Sequence, residues 1–239
     1  MRIVSNTVTY LDGDAVLEGF FAVDEDLKGP RPAVLISHAW GGRDEFVMQK
    51  AKKLAELGYV GFAIDMYGNG QVGTSIEANA ALMQPFMEDR ALLQQRINAA
   101  LQALRLLPWV DTRKIAAMGF CFGGLCVLDL ARSGAEVMGV ISFHGLLQAP
   151  EAHLQKPIRA KVLALHGHDD PMVPVAAVQA FQAEMTAAGV DWQLHAYGKT
   201  VHAFTNPVAN NPDFGTVYNE IADRRSWITL QNFLAEIFA

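Results

Sequence analysis

The stretch KIAAMGFCFGG, residues Lys114–Gly124, sets one reactive side chain, Cys121, between glycines at the end of an apolar run. The segment KIAAMGF is typical of a buried strand, and LCVLDLARS after it is typical of a helix. A G-x-C-x-G sequence between strand and helix predicts a sharp turn that projects its central side chain into a site. Taken alone, the motif also fits a small buried cysteine at a tight turn. In this context we interpret Cys121 as a candidate nucleophile.

Composition favours one compact domain. The chain has 239 residues, of which 51% are hydrophobic and 18% charged, so it has enough apolar material for a sizeable core. We predict a single domain over residues 1–239. The net charge of -6 provides no basic surface and argues against nucleic acid or an anionic membrane as a partner. A small neutral molecule is the more natural ligand.

The N-terminal stretch and the cysteines bear on location. MRIVSNTVTY lacks the charged start and apolar region of a secretory signal, and no apolar run approaches the ~18 residues of a membrane span. We therefore expect a cytoplasmic protein. On one helix, Cys121 and Cys126 would point about 140° apart, so we expect reduced thiols rather than a disulfide.

Alternating strand and helix patterns predict the fold. TVTYLDGDAVLEGFFAV predicts a hairpin around Asp12-Gly13. Five short apolar runs are typical of parallel strands buried on both faces: PAVLISHAWGG, YVGFAIDMYG, KIAAMGFCFGG, VMGVISFHG and AKVLALHGHDD. We predict helices before Gly58, over residues 86–107 up to Pro108, after Pro174, and through Ile221–Ile237.

The predicted architecture is therefore an α/β fold with a doubly wound, mostly parallel central sheet and an N-terminal antiparallel hairpin. Fifteen residues, 146–160, separate VISFHG from KVLALHG, which leaves no room for a large cap domain there. Functional side chains are expected where the parallel strands end.

Partners for the thiol follow later strands. His202, in GKTVHAFTNP, lies on a loop before the C-terminal helix and is the candidate base. Asp170, in HGHDDPMVP, follows a strand and is placed to accept the imidazole N–H; Asp169 is the competing choice. The order nucleophile, acid, histidine is that of α/β-hydrolases. We therefore predict a Cys–His–Asp triad.

An oxyanion hole requires two backbone N–H groups near the nucleophile. We expect one from Phe122 and one from the loop SHAWGG, with Trp40 the preferred donor and Ala39 the alternative. His38 in that loop more naturally organises the loop than reacts. Three further histidines lie near strand ends without the spacing of a zinc site, so we expect neither metal nor cofactor: His144, His166 and His168.

The motifs GFCFGG, HGHDDPMVP and HAFTNP resemble those of the dienelactone hydrolase family, and the similarity runs from about residue 10 to the C-terminus. The resemblance implies a capless α/β-hydrolase fold and a triad of Cys121, His202 and Asp170. Dienelactone hydrolase proper also carries a glutamate in the oxyanion loop and two arginines that hold the substrate carboxylate. This chain has Ala39, Asn69 and Asn206 at the matched positions.

A less charged pocket follows from these departures. Its expected lining includes Trp40 and Phe122, and the side chains we predict to bind substrate are His38, Tyr67, Asn69, Phe204 and Asn206. Tyr67 and Phe204 also fit ordinary packing beside the site. The sequence thus predicts a hydrolase of neutral, including aromatic, esters or lactones that works through a thioester, with promiscuity toward phosphotriesters.

Two other classes of function remain open at this point. A thiol redox or sensor protein would oxidise Cys121 instead of acylating it, but it gives His202 and Asp170 no role. A catalytically silent binding module would have no need of an intact triad. We expect a small-molecule partner and either a monomer or a homodimer.

Overall fold

The computed structural model covers residues 1–239. The main strands are β1 (Ile3–Asp12), β2 (Ala15–Asp24), β3 (Arg31–Ser37), β4 (Val60–Ala63), β5 (Val110–Phe120), β6 (Gly139–Phe143), β7 (Lys161–Gly167) and β8 (Trp192–Tyr197). They form one sheet in the order β1-β2-β4-β3-β5-β6-β7-β8. β1 pairs antiparallel with β2 and β2 with β4, whereas β3 and β4, β6 and β7, and β7 and β8 are parallel. The predicted mostly parallel sheet with an N-terminal hairpin is confirmed.

Six helices and a small hairpin complete the fold. The helices are α1 (Glu45–Glu56), α2 (Ile76–Glu88), α3 (Arg90–Arg105), α4 (Phe122–Arg132), α5 (Val175–Ala187) and α6 (Glu220–Ile237). β9 (Asn210–Asn211) pairs antiparallel with β10 (Thr216–Val217). Between β6 and β7 lies only a 3₁₀ helix, Ala152–Leu154, and no large cap. None of the helices combines the length and apolar character needed to span a membrane.

The helix expected over about residues 86–107 is present as α3, Arg90–Arg105, and residues 86–88 belong to the preceding α2. Asp89 separates α2 from α3 with an extended backbone, and its carboxylate caps α3 by accepting the N–H of Leu92 at 2.9 Å. The capping bond stabilises a new helix start because it satisfies one of the donors that a first helical turn leaves over. The polypeptide therefore turns where the apolar pattern appears continuous.

The chain groups into two compact units, Met1–Met118 and Gly119–Ala239. In the first, the buried strand residues of β3 and β4 form the core, and α1 packs so closely on β4 that a Cβ at Gly61 would collide with the backbone of Ala51. In the second, Phe120 and Phe143 stack with their ring centroids 4.9 Å apart. Each unit holds its own set of loops at strand ends.

A buried ion network ties α4 to α5 in the second unit. The guanidinium of Arg132 is 1% exposed, donates to both carboxylate oxygens of Glu184 at 2.8 and 2.7 Å, and also reaches Asp129. Its remaining donors bond to the carbonyls of Leu147 and Gln148. Because every donor is paired, the charge is accommodated in the interior and fixes the helix that begins beside Cys121.

Candidate active site

Cys121 lies on a strained turn between β5 and α4. Its φ of 54° and ψ of -117° are unusual for any residue other than glycine, and such strain persists where the surrounding structure enforces it. Its N–H donates to the carbonyl of Phe143 at 3.0 Å. A Cβ at Gly119 would collide with the carbonyl of Gly123, so the turn requires glycine there. The turn has the geometry of a nucleophile elbow.

Asp170 and His202 are joined by a short hydrogen bond. The ring Nδ1–H of His202 donates to Oδ2 of Asp170 at 2.7 Å, and the other carboxylate oxygen accepts the N–H of Met172 at 2.8 Å. Both side chains are buried. Asp169 is exposed, and its backbone N–H bonds to the carbonyl of Thr200. The structure therefore brings Asp170, and not Asp169, to the histidine.

The electrostatic surroundings of His202 favour the charged ring. Burial lowers its pKa, but the charge of Cys121, hydrogen bonds to Asp170 and Cys121, and the charge of Asp170 together outweigh burial and raise the pKa to about 10. Nε2 makes no strictly aligned hydrogen bond within the protein, although the thiol is close enough to influence the ring. An imidazolium next to a thiol favours the thiolate, which is the reactive form.

The backbone of His202 is held by the small hairpin. Its N–H donates to the carbonyl of Gly215 at 3.0 Å, and its own carbonyl accepts the N–H of Val217 at 3.2 Å. Phe122 opens α4 directly after the nucleophile, and the N–H groups of a first helical turn lie outside the helix's own hydrogen-bond ladder. This is the position from which a backbone donor reaches a developing oxyanion.

His38, in the first unit, has the opposite electrostatic character. Its Nδ1–H donates to the carbonyl of Ala39 at 2.6 Å, and Nε2 accepts the N–H of Met66 at 3.2 Å. Burial is the main cause that lowers its pKa, to about 4. Both ring nitrogens are thus engaged with the backbone in the neutral form.

Tyr67 and Asp65 hold the neighbouring backbone. The Tyr67 hydroxyl donates to the carbonyl of Trp40 at 2.8 Å, and its ring meets His38 edge-on at 4.8 Å between centroids. The buried carboxylate of Asp65 accepts four backbone N–H groups, from Glu18, Tyr67, Gly68 and Gly70. Sequence reasoning gave Asp65 no role, although an aspartate followed by a glycine-rich segment is the signal of such a turn.

The remaining predicted substrate-binding residues differ in exposure. Asn69 is exposed and has a φ of 53°. Asn206 is half-buried, and its side-chain carbonyl accepts the N–H of Val208 at 3.2 Å, which makes a local turn. Phe204 is fully buried, with its ring edge-on to His144 at 5.1 Å and to Tyr197 at 5.5 Å. Its ring therefore packs behind the histidine and presents no surface to a ligand.

No three or more histidine, cysteine, aspartate or glutamate side chains are arranged to hold a metal ion. His144, one of the histidines near strand ends, instead bonds through Nε2 to the hydroxyl of Thr205 at 2.8 Å. Cys121 and Cys126 form no disulfide, and Cys126 is buried in α4. The chemistry that these groups support is nucleophilic attack by a thiolate with a histidine as acid and base.

The chain matches the model of one protein family and is similar to three further proteins described here. The model of the dienelactone hydrolase family matches residues 17–238. An uncharacterized protein of Caenorhabditis elegans is 41% identical over 150 residues, covering 62% of this chain and 95% of the relative. A putative carboxymethylenebutenolidase of Yersinia pestis is 25% identical over 223 residues, covering 88% of this chain and 80% of the relative.

A solved structure matches the whole chain. It is that of a dienelactone hydrolase-like promiscuous phosphotriesterase from metagenomic libraries, 37% identical, with a TM-score of 0.96 and full coverage of both chains. Sequence family and three-dimensional likeness therefore agree with each other.

Proposed function

Because the chain belongs to the dienelactone hydrolase family, we propose that it hydrolyses carboxylic esters or lactones with Cys121 as nucleophile, His202 as acid and base, and Asp170 as the residue that orients the histidine. The observation that carries the proposal is the 2.7 Å bond from His202 to Asp170, in a site where the Cys121 charge raises the histidine pKa. Three residue types with complementary roles meet in one unit of the chain.

In the acylation step the Cys121 thiolate attacks the ester carbonyl carbon. A C–S bond forms while the carbonyl electron pair moves to oxygen, and the N–H of Phe122 stabilises the resulting oxyanion. The sequence-predicted second donor, the N–H of Trp40, stays a prediction. Collapse of the intermediate breaks the C–O bond, and the departing alkoxide takes the Nε2 proton of His202. The products are an alcohol and a thioester on Cys121.

In the deacylation step neutral His202 removes a proton from water as the oxygen attacks the thioester carbonyl. Collapse of this second intermediate expels the Cys121 thiolate and restores the imidazolium. Throughout both steps Asp170 accepts the Nδ1–H, which keeps Nε2 as the nitrogen that exchanges the proton. The carboxylic acid leaves, and the enzyme returns to its starting state.

The substrate we propose is uncharged near the reacting carbonyl, with aromatic esters included. Ala39, Asn69 and Asn206 replace the glutamate and two arginines expected from the family pattern, so no matched arginine is present to hold a carboxylate. Neutral p-nitrophenyl acetate is therefore expected to give a higher kcat/KM than p-nitrophenyl hemisuccinate. A preference for the anionic ester contradicts this part of the proposal.

We also propose slow cleavage of phosphotriesters. The support is the 37% identical relative whose structure is described as a promiscuous phosphotriesterase. Attack of the Cys121 thiolate on phosphorus would form a P–S bond to Sγ and break the P–O bond to the aryloxide, which leaves. Diethyl p-nitrophenyl phosphate should release nitrophenolate and leave a diethylphosphoryl adduct on Cys121. No release above that of Cys121→Ala removes the proposal.

The competing function is a thiol redox sensor on a hydrolase scaffold. It uses Cys121 but gives no purpose to the buried His202–Asp170 pair. A sensor would lose its response in Cys121→Ala while any ester hydrolysis remained. Loss of ester hydrolysis in Cys121→Ala and His202→Ala alike favours the hydrolase.

The two cysteines provide the decisive test with a matched control. Ester turnover is measured by release of nitrophenol in wild type, Cys121→Ala and Cys126→Ala. We expect Cys121→Ala to lose at least about 10³-fold in kcat/KM because the nucleophile is gone. Cys126 is buried within α4, so Cys126→Ala should stay within about threefold of wild type. Equal activity in Cys121→Ala and wild type refutes the proposed function.

A further inference from the structure

We propose that Thr205 and His144 form a positioning pair that sets the orientation of the His202 ring. The inference rests on the proposed function, since it assigns what holds the proposed acid and base in place. The two side chains are almost completely buried, at 0% and 2% exposure, and Nε2 of His144 is 2.8 Å from the Thr205 hydroxyl oxygen.

The loop that carries His202 wraps around the His144 ring. The rings of His202 and His144 are 5.2 Å apart at an interplanar angle of 66°, and the ring of Phe204 lies 5.1 Å from His144 on the same loop. Thr205 adds the hydrogen bond one residue later. His202, Phe204 and Thr205 therefore each contact His144, and together they fix the loop to it.

His144 also stands next to the residue that holds the nucleophile. Phe143 accepts the N–H of Cys121 at 3.0 Å, and the N–H of His144 donates to the carbonyl of Leu165 at 2.8 Å in the neighbouring strand. His144 has a φ of 38°, a conformation that residues other than glycine rarely adopt. The end of β6 thus holds both reacting residues, one through its backbone and one through a ring.

The physical need for this pair follows from the contacts of His202. Its hydrogen bond to Asp170 fixes one ring nitrogen, and a ring held at one point can still tilt about that bond. The edge-on His144 ring limits the tilt and keeps Nε2 directed at the thiol. The titratable groups that face His202 are Cys121, Asp170, His144 and His166. Asp170 holds the ring at Nδ1, and His144 adds the edge-on contact with the ring.

Comparison of Thr205→Val with Thr205→Ser distinguishes positioning of the His202 ring by the hydroxyl group from packing by the side chain. Valine keeps the shape and removes the hydroxyl, whereas serine keeps the hydroxyl. We expect Thr205→Val to lower kcat for p-nitrophenyl acetate roughly five- to tenfold with KM changed less than about twofold. Thr205→Ser should restore kcat to within about twofold of wild type.

A second readout does not depend on turnover. An imidazolium beside the thiol sustains thiolate at mildly acidic pH, so the alkylation rate of Cys121 by iodoacetamide reports the orientation of His202. Near pH 6 we expect the rate in Thr205→Val to fall about fivefold, and that in Thr205→Ser to match wild type. Peptide mass spectrometry distinguishes Cys121 from Cys126.

The outcomes are separable from those of the proposed function. Unchanged alkylation in Thr205→Val overturns the positioning role whatever the ester kinetics show. Slower alkylation in a protein without esterase activity supports positioning and rejects the hydrolase. If Thr205→Val fails to fold, His144→Asn takes its place, because asparagine tolerates positive φ while removing the ring, and the same fall in alkylation is expected. An unchanged rate in a folded His144→Asn overturns the proposal.

Discussion

His38 and His202 are both buried, both are followed by alanine, and each has a buried aspartate nearby, yet their pKa values shift in opposite directions. Burial lowers the pKa of His38 to about 4, while the pKa of His202 rises to about 10 despite burial. Both lie in strand-end loops, one in each compact unit. Burial alone therefore does not decide the charge of a buried histidine.

The charge of Cys121 is the largest cause that raises the pKa of His202, and the two aspartates add to the difference. The carboxylate oxygens of Asp65 accept hydrogen bonds from four backbone N–H groups rather than from the ring of His38. Asp170 accepts one backbone N–H and leaves Oδ2 for the ring of His202. A carboxylate whose two oxygens both accept backbone N–H groups orders a loop. A carboxylate that keeps one oxygen for a histidine ring orients that ring and stabilises its positive charge.

The largest difference in kcat is expected between His202→Gln and His38→Gln. His202→Gln should lower kcat for p-nitrophenyl acetate by about 10³-fold, because no other side chain supplies the proton exchange. His38→Gln should lower kcat less than about tenfold and reduce stability instead, since Met66 loses its acceptor. Equal losses of kcat in two folded variants contradict the division of roles.

The two aspartates are compared in the same way. Asp170→Asn should lower kcat roughly 10²- to 10³-fold, because the amide cannot stabilise the imidazolium. Asp65→Asn should instead cost roughly 3 kcal/mol of unfolding free energy, because an amide nitrogen faces backbone N–H groups that need an acceptor.

Urea unfolding and steady-state kinetics on both aspartate variants measure the two quantities. A stability loss for Asp170→Asn greater than that for Asp65→Asn contradicts the comparison.

The pH dependence of stability should have opposite slopes for the two histidines. The raised pKa of His202 contributes stability that is present in full below its unfolded pKa of about 6.5 and is lost as pH rises through about 10. The lowered pKa of His38 makes stability fall as pH drops from about 6.5 toward 4, since only the unfolded chain takes up the proton there.

Urea midpoints across this range test both slopes. The alkaline slope should be weaker in His202→Gln and the acidic slope weaker in His38→Gln. Unchanged slopes in both variants contradict the assigned pKa shifts.

The smallest expected effect is that of Tyr67→Phe, which removes only the hydroxyl that holds the carbonyl of Trp40. We expect a loss of about 1 kcal/mol in unfolding free energy. If the Trp40 N–H supplies an oxyanion donor, kcat should also fall, by about two- to fivefold, because the residue that carries the donor is less well fixed. A stable variant with unchanged kcat contradicts a role of the Tyr67 hydroxyl in positioning that donor.

Continuous apolar runs and turn signals were enough to predict most strands and the hairpin at Asp12-Gly13. They missed α2, because its 13 residues bury only Phe86 and so carry almost no apolar stripe. The break at Asp89 depends on one capping bond, which hydrophobic periodicity does not reveal.

The residues of the site could be predicted from the sequence where the side-chain type itself indicates the chemistry. Cys121 and His202 stand in distinctive motifs, but Asp169 and Asp170 are adjacent and only the fold shows which faces the histidine. Asp65 was missed because all its partners are backbone groups. The burial of Phe204 depends on long-range packing around His144. The single-domain organisation, cytoplasmic location, and monomeric or homodimeric state stay predictions.

The most direct test is to trap the acyl-enzyme. Wild type reacting with a bulky ester such as p-nitrophenyl pivalate, which deacylates slowly, is quenched in acid, digested and mapped by mass spectrometry. We expect an acyl mass on the peptide that contains Cys121. It should appear with the nitrophenol burst, decay with turnover and be absent from Cys121→Ala. Turnover without any acyl group on Cys121, or an acyl group on another residue that turns over at the same rate, contradicts this expectation.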